Sequence, residues 1–336
     1  MSSYPKHNQR RAGLGLLLAL VSVGLFAISP TLARLSYEAG AGPLSANVCR
    51  GFLLFALFAV VLILRPQPRS EARQGWGSRH PRLVAAVLGL SYAAFAWIYQ
   101  AAIFEVGAGP SLVAASASAI LVVLWQGRPF RGARSPHPAG MPELAAALVT
   151  VTGVYLLAKD GHASARSLIY CVLIMVSCGA MTIATEWAAE AGVNFARRGR
   201  AIGLGMLLLV IPLALGYQEI PVEPPQRTGM EWWALALPDG TLGWYAFLGS
   251  AITMIGAISL YSAAIGHIGA VRVSLIANAE PAIGLAIAWI WAGEELGLLG
   301  ILGGVLASAG LVNWRRVTEW TIGALSPLPL EDRLRR

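Results

Sequence analysis

YSAAIGHIGAVRVSLIANAEPAIGLAIAWIWAGEE, residues 261–295, decides how the chain is read. From Ile268 to Ala292 it is apolar enough and long enough to cross a bilayer, which takes roughly 20 residues. A Glu-Pro pair, Glu280-Pro281, sits in the middle of that span. A carboxylate at that depth costs about 2.5–3.5 kcal/mol on insertion scales, so it faces protein or water rather than lipid. Proline removes a helix hydrogen bond and kinks the helix, and neighbouring helices or water must satisfy what it frees. The small residues Ala277, Ala279, Ala282 and Gly284 admit another backbone at close range. The stretch reads as one wall of a cavity inside a membrane protein.

The rest of the chain agrees. Of its 336 residues 56% are hydrophobic and only 12% charged, with mean hydropathy +0.63, where soluble proteins carry about 25% charge. Ten apolar segments are expected to cross the membrane, over residues 13–35, 44–64, 83–104, 107–125, 142–158, 167–189, 201–217, 242–266, 268–292 and 297–314. The first follows Lys6, Arg10 and Arg11 as a signal peptide would, but its run of about 20 residues exceeds the ~7–15 of such a region, so it is expected to be retained. With residues 1–12 and 315–336 cytoplasmic, all but five of the 25 basic residues fall on the cytoplasmic side, the exceptions being Arg34, Arg50, Lys159, Arg166 and Arg227. That is the asymmetry membrane insertion imposes. It also accounts for the net charge of +8 without a nucleic-acid partner. Cys49, Cys171 and Cys178 have no metal-site or disulfide spacing and read as packing residues.

An internal repeat organises the ten segments. YQAAIFEVGAGPSLVAASASAI (99–120) aligns with YSAAIGHIGAVRVSLIANAEPA (261–282) at a constant offset of 162. A weaker match at offset 152 pairs Glu38-Ala39-Gly40 with Glu190-Ala191-Gly192, and Gly51 with Gly203. The expected fold is all-α and polytopic, with ten transmembrane helices as two five-helix repeats, residues 13–158 and 167–314. Five is odd, so the repeats are inverted, the sequence mark of alternating-access transporters with a site near the midplane.

These residues resemble the EamA-type drug/metabolite transporter superfamily. The matching pieces are Ala39-Gly40 and Pro43-Leu44 leading to Arg50, Tyr261–Ala264 followed by Gly269-Ala270, Glu280-Pro281, and Gly293-Glu294. The resemblance implies ten helices in two repeats and transport of small metabolites, amino acids including aromatic ones among them, across the bacterial inner membrane. One departure stands out: Ser118-Ala119 occupies the place of Glu280-Pro281 in the first repeat. The segment over 107–125 is therefore expected to be straighter than that over 268–292.

Glu280 is the sharpest functional candidate, as a ligand for a cationic group or as a proton carrier; a structural hydrogen bond is the plain alternative. Ser116, Ser118, Ser274 and Asn278 are small polar groups on the two aligned segments, where they either orient a ligand or join helices. Tyr92, Trp97 and Tyr99 crowd the third segment, and Tyr261 is the repeat partner of Tyr99. They form a cavity wall or pack. Tyr92, Phe95 and Tyr99 fall near one helix face and Trp97 on another. Pro30, Pro212 and Pro281 mark kinks at which helices rock. Arg34, Glu38, Arg50 and Glu105 gather at one set of helix ends, where surface pairing is expected. Glu186 lies near Arg197, Arg198 and Arg200, an arrangement suited to an ion-pair gate. There is no phosphate-binding loop and no hydrolase or metalloprotease motif, so neither an enzyme, a metal nor a cofactor is expected.

The expected function is secondary transport, with export of an amino acid, aromatic ones foremost, from a monomer or homodimer embedded in the lipid bilayer. Another cargo such as a nucleotide sugar or cationic drug, or a scaffold or enzyme, is the competing reading.

Overall fold

The computed structural model describes residues 4–64, 80–126, 149, 152, 165–216, 236–277, 279–293, 297–298, 301–302 and 305–306. These are helical throughout apart from short joints. The elements are α1 (Tyr4–Glu38), α2 (Pro43–Leu64), α3 (Pro81–Val106), α4 (Ala108–Ser116), α5 (Ala119–Gln126), α6 (Ala165–Glu190), α7 (Phe195–Gly216), α8 (Gly240–Ile268), α9 (Ala270–Ala277) and α10 (Glu280–Ala292). Most of the segments expected over 142–158 and 297–314 lie outside the described residues.

Five of these helices are long and apolar enough to cross a membrane: Gly13–Glu38, Pro43–Leu64, Pro81–Val106, Leu168–Glu190 and Gly240–Ile268. Their outward surfaces are apolar too, with Ile63 76% and Leu242 81% exposed. Water does not tolerate such faces in contiguous patches, whereas lipid does. The protein is a multi-pass membrane protein.

Packing follows small residues. α1 lies along α8, α3 along α6 and α7, and α2 against α7; α10 packs on α1 and α4, and α9 on α5. At the α3–α7 crossing the backbones touch: a Cβ on Gly89 would lie 2.5 Å from the Ala201 carbonyl oxygen, and one on Gly205 would collide with the Gly89 backbone. In lipid, where apolar burial gives little drive to associate, such close approach is what holds helices together. Across the α1–α8 seam, Ser22 donates to the Ala257 carbonyl at 3.0 Å and Ser29 to the Ser250 carbonyl at 3.1 Å.

The joints recur at the two sequence offsets. Gly107 (φ 106°, ψ 167°) ends α3 and Gly269 (φ 84°, ψ 159°) ends α8, each donating its N–H to the residue four back, Ile103 or Ile265. Only glycine adopts that backbone without strain. Gly40 and Gly192 likewise take positive φ where α1 turns into α2 and α6 into α7.

The structure corrects two expectations. The segment over 107–125 is not straighter than its partner: it breaks at Ala117–Ser118, as the other breaks before Glu280. Bonds of the tighter three-residue turn, Ser118 N–H to the Ala115 carbonyl and Ile120 N–H to the Ala117 carbonyl, make the break without a proline. Pro281, in turn, does not kink a continuous helix. It stands in the first turn of α10, where its missing N–H would have no helical partner in any case. Pro30 lies inside α1, whose helix runs on through it, and Pro212 falls within α7.

Candidate functional site

Both broken segments put their breaks against one interior cavity. It is lined by Phe26 of α1, Phe95 and Tyr99 of α3, Ala115 and Ser116 of α4, Ser118 of the α4–α5 joint, Cys178 and Met181 of α6, Tyr261 of α8, Ser274 and Ala277 of α9, and Glu280 of α10. The lining comes in repeat-related pairs: Tyr99 with Tyr261, Ala115 with Ala277 and Ser118 with Glu280 at offset 162, and Phe26 with Cys178 at offset 152. The described conformation leaves about 40 Å³, room for the centres of a few water molecules. An amino acid needs the surrounding helices to part.

The walls are aromatic. Phe95 stacks on Tyr99 with centroids 5.1 Å apart, and Phe26 meets Tyr261 edge-on at 5.8 Å. The Tyr261 hydroxyl is fixed by Thr182 Oγ1 at 3.1 Å. Ser116 and Ser274 each donate to the carbonyl four residues back, Leu112 at 3.2 Å and Ala270 at 2.9 Å, which turns their hydroxyl oxygens into acceptors near the cavity. Ser118 makes a hydrogen-bonding contact with the Cys178 thiol across the break.

Among the described lining residues Glu280 is the single acid, and it is 8% exposed. It stands in the first turn of α10, whose positive dipole end favours a carboxylate. It forms no hydrogen bond or salt bridge with any described residue, and the hydroxyls of Tyr99 and Tyr261 lie within its electrostatic reach. A carboxylate so placed can receive a cationic group or a proton.

Six sequence candidates therefore meet at one place: Tyr99, Ser116, Ser118, Tyr261, Ser274 and Glu280. Tyr92 does not line the cavity. It is two helical turns from Tyr99, about 10 Å along the axis, and its hydroxyl accepts from Thr185 Oγ1 at 3.3 Å. Trp97 is absent from the lining because two residues past Phe95 lies on another helix face. Asn278 is outside the described residues. Phe26, Cys178 and Met181 had no functional reading in the sequence; extending the offset-152 match back from Glu38 would have paired Phe26 with Cys178.

The charged groups also differ from expectation. Arg34 pairs with Glu38 at 2.9 Å at the surface, but Arg50 is 1% exposed, deep between helices. Arg198 is buried as well and donates to the Ser262 carbonyl at 3.1 Å, while Glu186 accepts from the Ala270 N–H at 3.4 Å, at the start of α9. His267 is exposed.

The fold and cavity define a class: a multi-pass helical membrane protein with an interior cavity. Residues 165–313 match the EamA-like transporter family. A solved crystal structure shares the fold over 90% of this chain and 98% of its own, at 16% identity and a TM-score of 0.58. No curated protein matches the chain.

Proposed function

We infer that the chain is a secondary transporter of the bacterial inner membrane, exporting an amino acid, aromatic ones foremost, by alternating access. The reading takes ten helices as two inverted five-helix repeats, residues 13–158 and 167–314, with both termini cytoplasmic. The observation that carries it is the pairing of the cavity wall: each repeat supplies a broken segment, a tyrosine and a small residue at equivalent positions. Discontinuous helices meeting at a central site between two repeats are the architecture of alternating access. The matched helix contacts and the paired positive-φ glycines support the same reading.

In this mechanism the side chain of the cargo lies among Phe26, Phe95, Tyr99 and Tyr261, and Glu280 receives its ammonium group or exchanges a proton with it. Ser116, Ser118, Ser274 and Asn278 supply orienting hydrogen bonds, with Tyr92 and Trp97 supporting the wall from behind. Rocking at Pro30 and Pro212, together with bending at the two breaks, exposes the cavity to each side in turn.

Counterflow in proteoliposomes tests it. The full-length protein is reconstituted with unlabelled compound inside, and uptake of labelled phenylalanine, other amino acids, a nucleotide sugar and a quaternary amine is followed. Saturable exchange of phenylalanine is expected. Exchange of the sugar nucleotide or amine alone would keep a carrier and replace its cargo; silence across the panel would count against transport of all of them.

A further inference from the structure

A second polar cluster lies beyond the cavity wall, where the C-terminal end of α1, the start of α2, the C-terminal part of α3 and the N-terminal part of α8 converge. Arg50 stands at its centre. Its Nη2 donates to Ser250 Oγ at 3.0 Å, but Nε and Nη1 are buried with no hydrogen-bond partner. The Tyr37 hydroxyl makes a hydrogen-bonding contact with the guanidinium and donates to Gln100 Oε1, while the buried Gln100 Nε2 has no acceptor. Asn47, one turn before Arg50, uses its Nδ2 on the Ala96 carbonyl at 3.5 Å. Among the described residues no carboxylate belongs to this cluster: Glu38 is turned outward onto Arg34.

A guanidinium has five donors in a planar fork that fits carboxylates. Removing it from water without a counter-charge is unfavourable, and leaving its donors unpaired adds to that cost. Groups held in this way call for an acceptor that arrives from elsewhere. Tyr99 supplies the link to the cavity. It lines that cavity and lies within electrostatic reach of both Arg50 and Glu280.

We propose that Arg50, with Gln100 joined to it through the Tyr37 hydroxyl, is a subsite for a single carboxylate of the cargo, placed across Tyr99 from Glu280. One guanidinium among neutral groups matches one negative charge. A phosphate would bring about two charges near neutral pH, with the Glu280 carboxylate nearby to oppose the second. A cargo carrying both a carboxylate and an ammonium group satisfies both ends. The inference rests on the transporter reading and names the chemistry of its substrate.

The test uses purified full-length protein and three probes sharing one ring: 3-phenylpropanoate, phenethylamine and phenyl phosphate. Binding is measured directly by calorimetry, and each probe competes in phenylalanine counterflow. Wild type is expected to bind 3-phenylpropanoate more tightly than phenyl phosphate. Arg50→Lys is expected to weaken 3-phenylpropanoate about tenfold, since an ammonium cannot reproduce the fork, and to leave phenethylamine unchanged. Gln100→Leu, which keeps the charge, weakens 3-phenylpropanoate a few-fold and serves if Arg50→Lys does not fold. Wild-type affinity for 3-phenylpropanoate in folded Arg50→Lys, tighter binding of phenyl phosphate, or binding of neither anion by wild type would each overturn the subsite. Phenylalanine counterflow that survives such a result keeps the transporter. Silent counterflow with 3-phenylpropanoate still bound through Arg50 keeps the subsite and removes the transporter reading.

Discussion

At Ala117 and at Ala279 the backbone does nearly the same thing, φ −60° and ψ −16° at the first, φ −76° and ψ −17° at the second. Yet the residues that follow are Ser118-Ala119 in one repeat and Glu280-Pro281 in the other. The break therefore does not require the proline. The two segments, aligned at offset 162, both carry it and use it differently. The first presents a hydroxyl to the cavity, the second a carboxylate. Backbone geometry is held in common while charge is not, so the asymmetry of the site resides in a side chain and not in the helices.

The largest test of that asymmetry is Glu280→Gln set beside Ser118→Ala. Replacing the carboxylate by its neutral isostere is expected to abolish uptake driven by a pH gradient, by about tenfold or more, while exchange of unlabelled for labelled cargo persists. Ser118→Ala removes a hydroxyl and is expected to change either flux by only a few-fold. Both fluxes are read in the same proteoliposomes. Unchanged gradient-driven uptake in Glu280→Gln would remove the proton-carrying role and leave the two breaks functionally alike.

A smaller effect sharpens what the repeats share. Gly107→Ala and Gly269→Ala each force a side chain into the same backbone region, at a cost of about 1–3 kcal/mol. Matched falls in the apparent unfolding temperature of the purified variants are expected. A fall in only one would mean that the two joints, alike in angle, are not alike in constraint.

How far the sequence foretold this depends on the kind of signal each feature leaves. The offset of 162 was legible because an ungapped run, Tyr-x-Ala-Ala-Ile-x-x-x-Gly-Ala, survives in both copies, and Gly107 and Gly269 are in it because no other residue fits their backbone. The alignment paired Tyr261 with Tyr99, and both line the cavity. The break at Ala117 left no trace, since its angles suit any residue and its turn is made by backbone bonds alone. Phe26 and Cys178 were single apolar residues in apolar helices, indistinguishable from packing. Arg50 read as a surface cation because it sits near a helix end; its partners Ser250 and Tyr37 are brought to it only by the folded bundle.

The smallest expected effect is the one that bears most directly on the opening comparison. Pro281→Ala gives the second repeat the residue its counterpart already has at Ala119. Proline at the first turn of a helix fixes φ near its helical value and gives up an N–H that has no helical acceptor there. Its removal therefore leaves the α9–α10 break intact, because α4 and α5 are separated without it. Transport by Pro281→Ala is expected to stay within about twofold of wild type, with stability changed by roughly 0.4–1 kcal/mol through the freer unfolded chain. If instead transport collapsed while the protein remained folded, the proline would be maintaining the break. The two segments would then reach one shape by different means, with the first dependent on its packing against α6 and the second on its own covalent ring.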